Sequence, residues 1–341
     1  MFSFDFCVDE DHDASSIRAS TNAGVNETKN MCKIPAREHS LSSLRAQLPE
    51  KLSYSPVIAH DGDVPVVLAR RDLFDVRFQI LNEDGTIADE QSDLIPGVYE
   101  GGLKTWECSL DLISEIHSRL QGARQNDAAW PSGRHITEIG CGTALPSCFV
   151  LQTLFSVTRN PEQPSVLTVC DYNEQVLSLV VYPNLLLAWY FSEAGPGAAK
   201  GQSQQEPGDL EMDDHLLDQF ESALSNSGIK LRFFSGGWDT LELGTPADIL
   251  LTSETTYALE TIPSLCRALK AASWPTNDND MGGIIRETSM ILIASKVLYF
   301  GVGGGIEPFR TEVLAHQGWC KQVRSFTAGV GRGILQIGWS S

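Results

Sequence analysis

The chain has 341 residues, enough for one large or two modest domains, and 42% of them are apolar, which suffices for a substantial core. Its 25 basic and 44 acidic side chains leave a net charge of −19, which disfavours binding to DNA phosphates and favours a basic protein partner. The sequence lacks both an apolar run of about 18 residues and a basic start before an apolar segment, so we expect no membrane span and no export signal.

The eight cysteines are scattered, without a CxxC pair or a Cys/His cluster at zinc spacing. Several lie in or beside apolar segments, where a reduced cysteine packs as a small hydrophobe. We therefore expect reduced thiols, no metal site, and a location in the cytoplasm and the nucleus.

The N-terminal part divides into two regions. Residues 1–40 are rich in Asp, Ser, Asn and Glu, which predicts a disordered acidic tail. Residues 41–130 form a predicted N-terminal extension, in which a short amphipathic helix follows a capping serine and "VPVVLARRDLFDVRFQIL" alternates enough to form strand.

From residue 131 to residue 341, short apolar strands alternate with helical stretches. The strands, each ending in polar or glycine residues, are "HITEIGC" (135–141), "SVLTVCDY" (165–172), "KLRFFSGG" (230–237), "ADILLTSE" (247–254) and "SMILIASK" (289–296). "CKQVRSF" and "GRGILQIGW" predict a final antiparallel pair. This pattern predicts a doubly wound α/β fold, whose ligands bind at the carboxyl ends of the parallel strands.

One segment interrupts the alternation. Residues 192–228 begin with a Gly-, Gln- and Pro-rich stretch, which is typical of an insertion or a disordered loop, and end in a stretch that can be helical.

The stretch "EIGCGTAL" (138–145) is a glycine turn between a strand and a helix, the context in which backbone approaches a nucleotide. Leu145 stands where a dinucleotide fingerprint has its third glycine, which weakens a pyrophosphate interpretation. Asp171 ends the next strand, where an acidic side chain can bind ribose hydroxyls. Glu138, Gly140 and Gly142, followed by Asp171, are similar to the pattern of class I S-adenosylmethionine-dependent methyltransferases; taken alone, the turn could also be purely structural.

Four further stretches narrow the resemblance. These are "GGLKTWECSLDL" (101–112), "CDYNEQVLSLVVYPN" (170–184), "TSETTY" (252–257) and "ASKVLYFGVGGG" (294–305). Together they resemble the histidine protein methyltransferase branch of that fold, especially its fungal members. The resemblance implies a seven-stranded, mostly parallel sheet, S-adenosylmethionine as cofactor, and a monomer. It also implies methylation of the distal ring nitrogen of a histidine in large-subunit ribosomal protein L three, a basic protein that is free or in the assembling ribosome.

The resemblance also assigns roles to residues. Gly140 and Gly142 form the cofactor turn beside Glu138, and Asp171 binds the ribose. Lys104, Thr105 and Trp106 belong to a lid motif, 101–109, over the cofactor. Ser253, Glu254 and Tyr257 lie on the acceptor side of the site, and Ser253 is also assigned to cofactor binding.

Methyl transfer to imidazole requires a neutral, desolvated and well-aimed nitrogen. Glu254, after the fourth strand, could accept the opposite ring N–H and stabilise the cation that forms. The alternative is that it caps a following helix or pairs with a basic side chain. Tyr257 could wall the acceptor pocket or be a core tyrosine.

Trp238 follows the third strand, where class I enzymes contact adenine, and could also simply fill space. The glycines of "FGVGGG" let a loop bend near the peptide-binding cleft.

Three other functions fit the sequence less well. A protein-lysine methyltransferase of the same fold would share the glycine turn and the acidic-x-x-Tyr pattern, but not "GGLKTWECS" and "FGVGGG". A non-catalytic ribosome assembly factor would have no need to keep Gly140, Gly142, Asp171 and Glu254. A dehydrogenase would need the missing glycine and an acidic residue about 20 positions on, whereas Asp171 lies 29 positions after Gly142.

Overall fold

The computed structural model describes residues 34–62, 64–74, 102–124, 131–157, 163–274 and 288–340, all within the unit Lys33–Ser341. The strands are β1 (Arg37–His39), β2 (Lys51–Asp61), β3 (Val64–Arg71), β4 (His135–Ile139), β5 (Ser165–Asp171), β6 (Gly208–Glu211), β7 (Ile229–Ser235), β8 (Ile249–Ser253), β9 (Met290–Lys296), β10 (Gly318–Phe326) and β11 (Arg332–Trp339). The helices are α1 (Leu41–Arg45), α2 (Glu107–Arg124), α3 (Leu145–Ser156), α4 (Glu174–Val176), α5 (Tyr182–Tyr190), α6 (Asp214–Asn226), α7 (Ile262–Ala271) and α8 (Ile306–Ala315). A π-helical turn, Leu177–Val181, joins α4 to α5, and a 3₁₀ turn, Trp238–Thr240, follows β7.

The central sheet has eight strands in the order β1-β7-β5-β4-β8-β9-β11-β10. Five neighbouring strands in this sheet run parallel: β7, β5, β4, β8 and β9. Strands β11 and β10 form the antiparallel pair expected at the C-terminus. The predicted doubly wound α/β fold is confirmed. The sheet has one strand more than predicted, because β1 adds to its edge beside β7.

Strand β1 lies at the end of the region predicted to be a disordered tail. Residues 1–33 of that region are outside the described residues, whereas residues 34–40 contain β1 and Ser40, the N-cap of α1. His39 is buried, and its Nε2 lies 2.7 Å from Ser235 Oγ on β7. A long-range contact of this kind orders three residues that carry no strand signal of their own.

The second sheet has three strands in the order β3-β2-β6. Strands β2 and β3 form a hairpin in the predicted N-terminal extension, and β6 comes from the segment 192–228. The first part of that segment forms hydrogen-bonded turns, among them Gly197 N–H donating to the Tyr190 carbonyl at 2.9 Å, and its second part is α6, as predicted. The segment is therefore built onto the hairpin and is not a loose loop.

Core residues lie on both faces of the central sheet. Along β8 and β9, alternate side chains pack into two separate apolar clusters: Leu251 and Leu292 face one, and Leu250 and Ile291 face the other. This burial on both faces explains why the parallel strands are almost continuously apolar. Within the described ranges, no helix is both long and apolar enough to cross a membrane.

The strand order positions the site. From β4 the chain winds through β5 to β7 on one side, and then through β8 to β9 on the other. Neighbouring connections diverge at such a reversal, which leaves a crevice at the carboxyl ends of the strands. The residues after β4, β5 and β8 are those predicted from the sequence to form the site.

Candidate active site

The glycine turn follows β4 directly and needs its glycines. Gly140 and Gly142 have φ values of 65° and 52°, in the left-handed region that side chains other than hydrogen disfavour. A Cβ on Gly140 would lie 2.3 Å from Thr255 Cγ2, whereas the nearest atom to a Cβ on Gly142 would be Gly102 Cα at 3.7 Å. The turn therefore lies between the segment after β8 and the predicted lid.

Asp171, the last residue of β5, is buried beside this turn. Its Oδ2 accepts the Gly142 backbone N–H at 2.8 Å, and its Oδ1 accepts the Asn173 backbone N–H at 3.1 Å. These bonds orient the carboxylate beside the turn. The position suits the predicted binding of two ribose hydroxyls.

Glu138 lies on β4, two residues before Gly140, and is completely buried. Its Oε2 accepts bonds from the Ser147 backbone N–H at 3.0 Å and the Ser147 hydroxyl at 2.5 Å, while Oε1 contacts no donor among the described residues. Burial raises the pKa of this carboxyl to about 8, against the opposing effect of the Ser147 bonds. The carboxyl is therefore mainly protonated at neutral pH, with one oxygen available to a partner.

The lid motif is linked to both the turn and the hairpin; Gly101, its first residue, lies outside the described part of the chain. Thr105 Oγ1 accepts a bond from Arg70 Nη1 on β3 at 2.9 Å and lies 3.4 Å from Thr143 Oγ1 in the turn. Lys104 is exposed, and its Nζ is 4.3 Å from the centre of the Trp106 ring. The structure thus brings Thr105 to the cofactor turn, while Lys104 and Trp106 contact each other beside it in the chain.

Trp238 also reaches the turn. Its Cζ2 would lie 3.7 Å from a Cβ on Gly140, and its ring packs against the apolar cluster under β7 and β8. Both suggested roles, an adenine contact and a space-filling residue, agree with this position.

Glu254 follows β8 in a left-handed conformation, with a φ of 58°. Its Oε2 accepts the Tyr299 hydroxyl at 2.5 Å, and its Oε1 accepts the Cys108 backbone N–H, at the start of α2, at 3.3 Å. Lys296 Nζ lies 3.8 Å from Oε1. The alternative of a basic partner is therefore present, whereas the helix that Glu254 contacts is α2, which precedes it in the chain, and not a following helix. These contacts fix the carboxylate between the lid and β9.

Lys296 connects the two sides of this site. Its Nζ lies 4.8 Å from the centre of the Trp106 ring and 3.4 Å from Glu107 Oε2. Because Trp106 also contacts Lys104, the ring carries two ammonium groups in this structure. Such contacts between cations and an aromatic face are favourable and hold the lid beside Glu254.

Tyr257 and Ser253 complete the predicted set. The rings of Tyr257 and Tyr299 meet edge to face, with centroids 6.5 Å apart. Ser253 is buried at the end of β8, paired with Ala294 of β9. All eleven predicted site residues therefore lie at the carboxyl edge of the sheet. We call the residues predicted to bind the cofactor the cofactor half, and Glu254 and Tyr257 with the side chains that contact them the acceptor half. Their individual roles stay predictions.

Three residues of this region were missed as site residues, although each lies in a stretch that carried the resemblance. Tyr299 and Lys296 belong to "ASKVLYFGVGGG" and contact Glu254. Asn184 belongs to "YPN" and is fully buried. Its Nδ2 donates to the Thr143 carbonyl at 2.9 Å, and its Oδ1 accepts the Arg71 backbone N–H at 2.8 Å, so it joins the glycine turn to the hairpin.

The residues of the cofactor half fit a nucleoside with a charged tail. Gly140 and Gly142 present backbone without side chains, Asp171 presents a carboxylate, and Glu138 Oε1 is a buried polar atom without a hydrogen-bond partner among the described residues. The acceptor half offers a fixed carboxylate and two tyrosine rings, which suit a nitrogen heterocycle with an N–H to donate.

Solved structures that match part of this chain include a ribosomal protein L11 methylase from Lactobacillus delbrueckii subsp. bulgaricus, at 10% identity over 83% of this chain and 99% of that one. Magnesium protoporphyrin IX methyltransferase from Synechocystis PCC 6803 with bound SAM is 11% identical over 79% and 97% of the two chains. Both TM-scores are 0.38.

No family model matches the sequence. Histidine protein methyltransferase 1 from Schizosaccharomyces pombe is 30% identical over 308 residues, covering 87% of this chain and 83% of the relative. The Saccharomyces cerevisiae protein of the same name is 29% identical, over 71% and 67% of the two chains. A homologue from Bos taurus is 28% identical, over 89% and 71%. With this coverage and the motifs in place at one sheet edge, the chain belongs to the histidine protein methyltransferase family.

Proposed function

We propose that the chain methylates one histidine of large-subunit ribosomal protein L three, with S-adenosylmethionine as methyl donor. The observation that carries the proposal is the carboxylate of Glu254, which the Cys108 N–H and the Tyr299 hydroxyl hold in place at the sheet edge where β4 ends in the glycine turn. The chain's membership of the histidine protein methyltransferase family supports histidine as the acceptor. The net charge of −19 suits a basic ribosomal protein as substrate.

Gly140, Gly142 and Asp171 would hold S-adenosylmethionine, which would supply a methyl group on a sulfonium; the electron pair of the carbon–sulfur bond would stay with sulfur as an imidazole nitrogen takes the methyl group. Glu254 accepts the N–H of the opposite ring nitrogen, which leaves the distal nitrogen with its lone pair and stabilises the imidazolium that forms. Tyr299 and the Cys108 N–H hold the carboxylate in place, so little reorganisation is needed as charge develops. Trp106 and Thr105 cover the site and exclude water.

The cofactor half is tested by calorimetry with S-adenosylhomocysteine, and with NAD as the control nucleotide. We expect micromolar binding of the first alone. Binding of NAD in its place would point to a dehydrogenase and overturn the proposal.

The acceptor half is tested by incubating the chain with purified ribosomal protein L three and S-adenosylmethionine, and locating the added mass of a methyl group by mass spectrometry. We expect it on histidine; methylated lysine would favour the alternative enzyme of this fold. In the same assay, Glu254→Gln should lower kcat by about tenfold or more, while affinity for S-adenosylhomocysteine stays within about twofold. An unchanged rate would leave Glu254 a structural residue.

The proposal extends to where the chain acts. A ribosomal substrate places it in the cytoplasm and the nucleus, compartments in which thiols stay reduced. Cys108, Cys141, Cys148, Cys170 and Cys266 are buried free thiols, which suits such an environment. We further propose that it acts as a monomer, a prediction that sedimentation equilibrium would check.

A further inference from the structure

Exposed apolar side chains concentrate at one place in the described part of the chain. Phe300 leaves 82% of its surface exposed, and five others leave between 44% and 50%. We call these six residues the apolar rim: Leu259, Val297, Leu298, Phe300, Val302 and Val330. An apolar patch that a folded chain keeps exposed commonly marks a binding surface.

Backbone contacts make the rim continuous. The Val297 N–H donates to the Gly331 carbonyl at 2.8 Å, which brings Val297 beside Val330. Leu259 Cδ1 would lie 3.1 Å from a Cβ on Gly303, which follows Val302. The rim therefore joins three loops: the one after β8, the one after β9, and the β10–β11 turn.

The glycines of "FGVGGG" hold the loop after β9 in this position. A Cβ on Gly304 would lie 2.2 Å from the carbonyl oxygens of Thr256 and Tyr257, so only glycine allows the two loops to touch. The Gly304 N–H donates to the Tyr257 carbonyl at 3.1 Å, and the Gly305 N–H donates to the Thr256 carbonyl at 2.9 Å. The loop is thus fixed to the segment that carries Glu254 and Tyr257.

The rim borders the acceptor half of the site. Tyr299 lies in the loop between Leu298 and Phe300, but its hydroxyl points inward and bonds to Glu254. Its two neighbours in sequence are exposed. One short loop therefore supplies both a partner of the acceptor carboxylate and the apolar surface outside it.

We propose that the apolar rim binds the stretch of substrate polypeptide that flanks the acceptor histidine, and that it selects apolar side chains next to that histidine. The inference rests on the proposed function, because a histidine that reaches Glu254 must bring its neighbours over this surface. A second copy of the chain is a poorer occupant, since its docking here would close the acceptor side. Apolar burial would supply affinity at the rim, and the carboxylate would select the histidine.

The test uses the full chain and short peptides that carry one central histidine, flanked either by Leu, Val and Phe or by Ser, Asp and Lys. We expect the wild-type chain to have a KM about tenfold lower for the apolar set. Phe300→Ser should raise the KM for the apolar peptides about tenfold, with kcat and affinity for S-adenosylhomocysteine within about twofold, and Phe300→Leu should restore most of the difference.

Leu314→Ser is the matched control. Leu314 is 55% exposed but lies at the end of α8, which starts at the carboxyl edge of β9 and runs back towards the opposite edge of the sheet. This variant should keep the wild-type KM for both sets.

Equal KM values for the two peptide sets, or a wild-type KM in Phe300→Ser, would overturn the inference and leave the proposed function standing. Methylation of the peptides without methylation of ribosomal protein L three would overturn the proposed substrate, and the peptide comparison would still decide the role of the rim. Transfer to neither would overturn both.

Discussion

The Tyr299 hydroxyl donates a hydrogen bond to Glu254 Oε2 at 2.5 Å. The two residues are 45 positions apart in sequence and meet because the loop after β9 folds back over the end of β8. Burial and the nearby carboxylate raise the pKa of the Tyr299 phenol, so it remains a neutral donor throughout the physiological range. The carboxylate orientation on which acceptor chemistry depends is thus set by a residue outside the predicted site.

Tyr299→Phe should therefore lower kcat about tenfold while affinity for S-adenosylhomocysteine stays within about twofold, because a charge-assisted bond is lost and the ring packing is kept. The measurement is steady-state methyl transfer together with calorimetry. Tyr182→Phe is the control, since the buried Tyr182 hydroxyl has no hydrogen-bond partner among the described residues and should leave kcat unchanged. Equal rates for the two variants would show that Tyr299 does not position Glu254 for catalysis.

Asp171→Asn should weaken binding of S-adenosylhomocysteine by about 1 to 3 kcal/mol, through loss of charge-assisted bonds to the ribose. Asparagine keeps one oxygen for the Gly142 N–H, so the turn itself should be retained. Calorimetry measures the change. Asp209→Asn removes only an ion pair between exposed side chains, with Lys51, and should bind normally. Wild-type affinity in Asp171→Asn would remove this residue from the cofactor site.

The stability of the unliganded chain should depend on the ionisation of Glu138. Burial raises the pKa of this carboxyl from 4.5 to about 8, so between these values the folded chain holds a proton that the unfolded chain has released. The proton favours folding at low pH, and this advantage is lost as the pH rises towards 8. Each pH unit in the window lowers the free energy of unfolding by about 1.4 kcal/mol.

Glu138→Gln, which cannot ionise, separates this effect from the other acids of the chain. Between about pH 6 and about pH 8, the wild-type chain should lose about 2 kcal/mol more stability than the variant in urea unfolding. Parallel stability profiles for the two proteins would mean that the carboxyl is already ionised when buried.

Asn184→Ala should lower the free energy of unfolding by about 2 to 5 kcal/mol, because it leaves the Thr143 carbonyl and the Arg71 N–H buried without their partner. Affinity for S-adenosylhomocysteine should fall as well, since Thr143 belongs to the glycine turn. Gln219→Ala removes an exposed amide on α6 and should change stability by less than about 0.5 kcal/mol. If Asn184→Ala loses no more free energy of unfolding than Gln219→Ala, the hydrogen bonds of Asn184 between the glycine turn and the hairpin contribute little to stability.

The sequence predicts the parallel strands well because each is a short apolar run that ends in polar or glycine residues, and burial on both faces requires that pattern. It predicts the location of the site residues for the same reason: strands β4, β5 and β8 end at one edge, so Gly140, Asp171 and Glu254 follow. It does not predict β1 or β6, because Arg37–His39 and Gly208–Glu211 become strands only through partners distant in sequence. Tyr299 was missed for a related reason, since its contact with Glu254 requires a particular path of the loop after β9, and Lys296 was missed because its contact with Glu254 joins the ends of two strands distant in sequence.

Strand β1 has a consequence for how the folded chain behaves in concentrated solution. It pairs with β7, and the Arg232 guanidinium on β7 binds both carboxylate oxygens of Glu38, at 2.7 and 3.0 Å. Without β1, the outer side of β7 would present unpaired backbone N–H and C=O groups, which can recruit a strand from another molecule. The three residues of β1 thus protect the edge of β7 from pairing with other molecules, and a chain cut after His39 should self-associate.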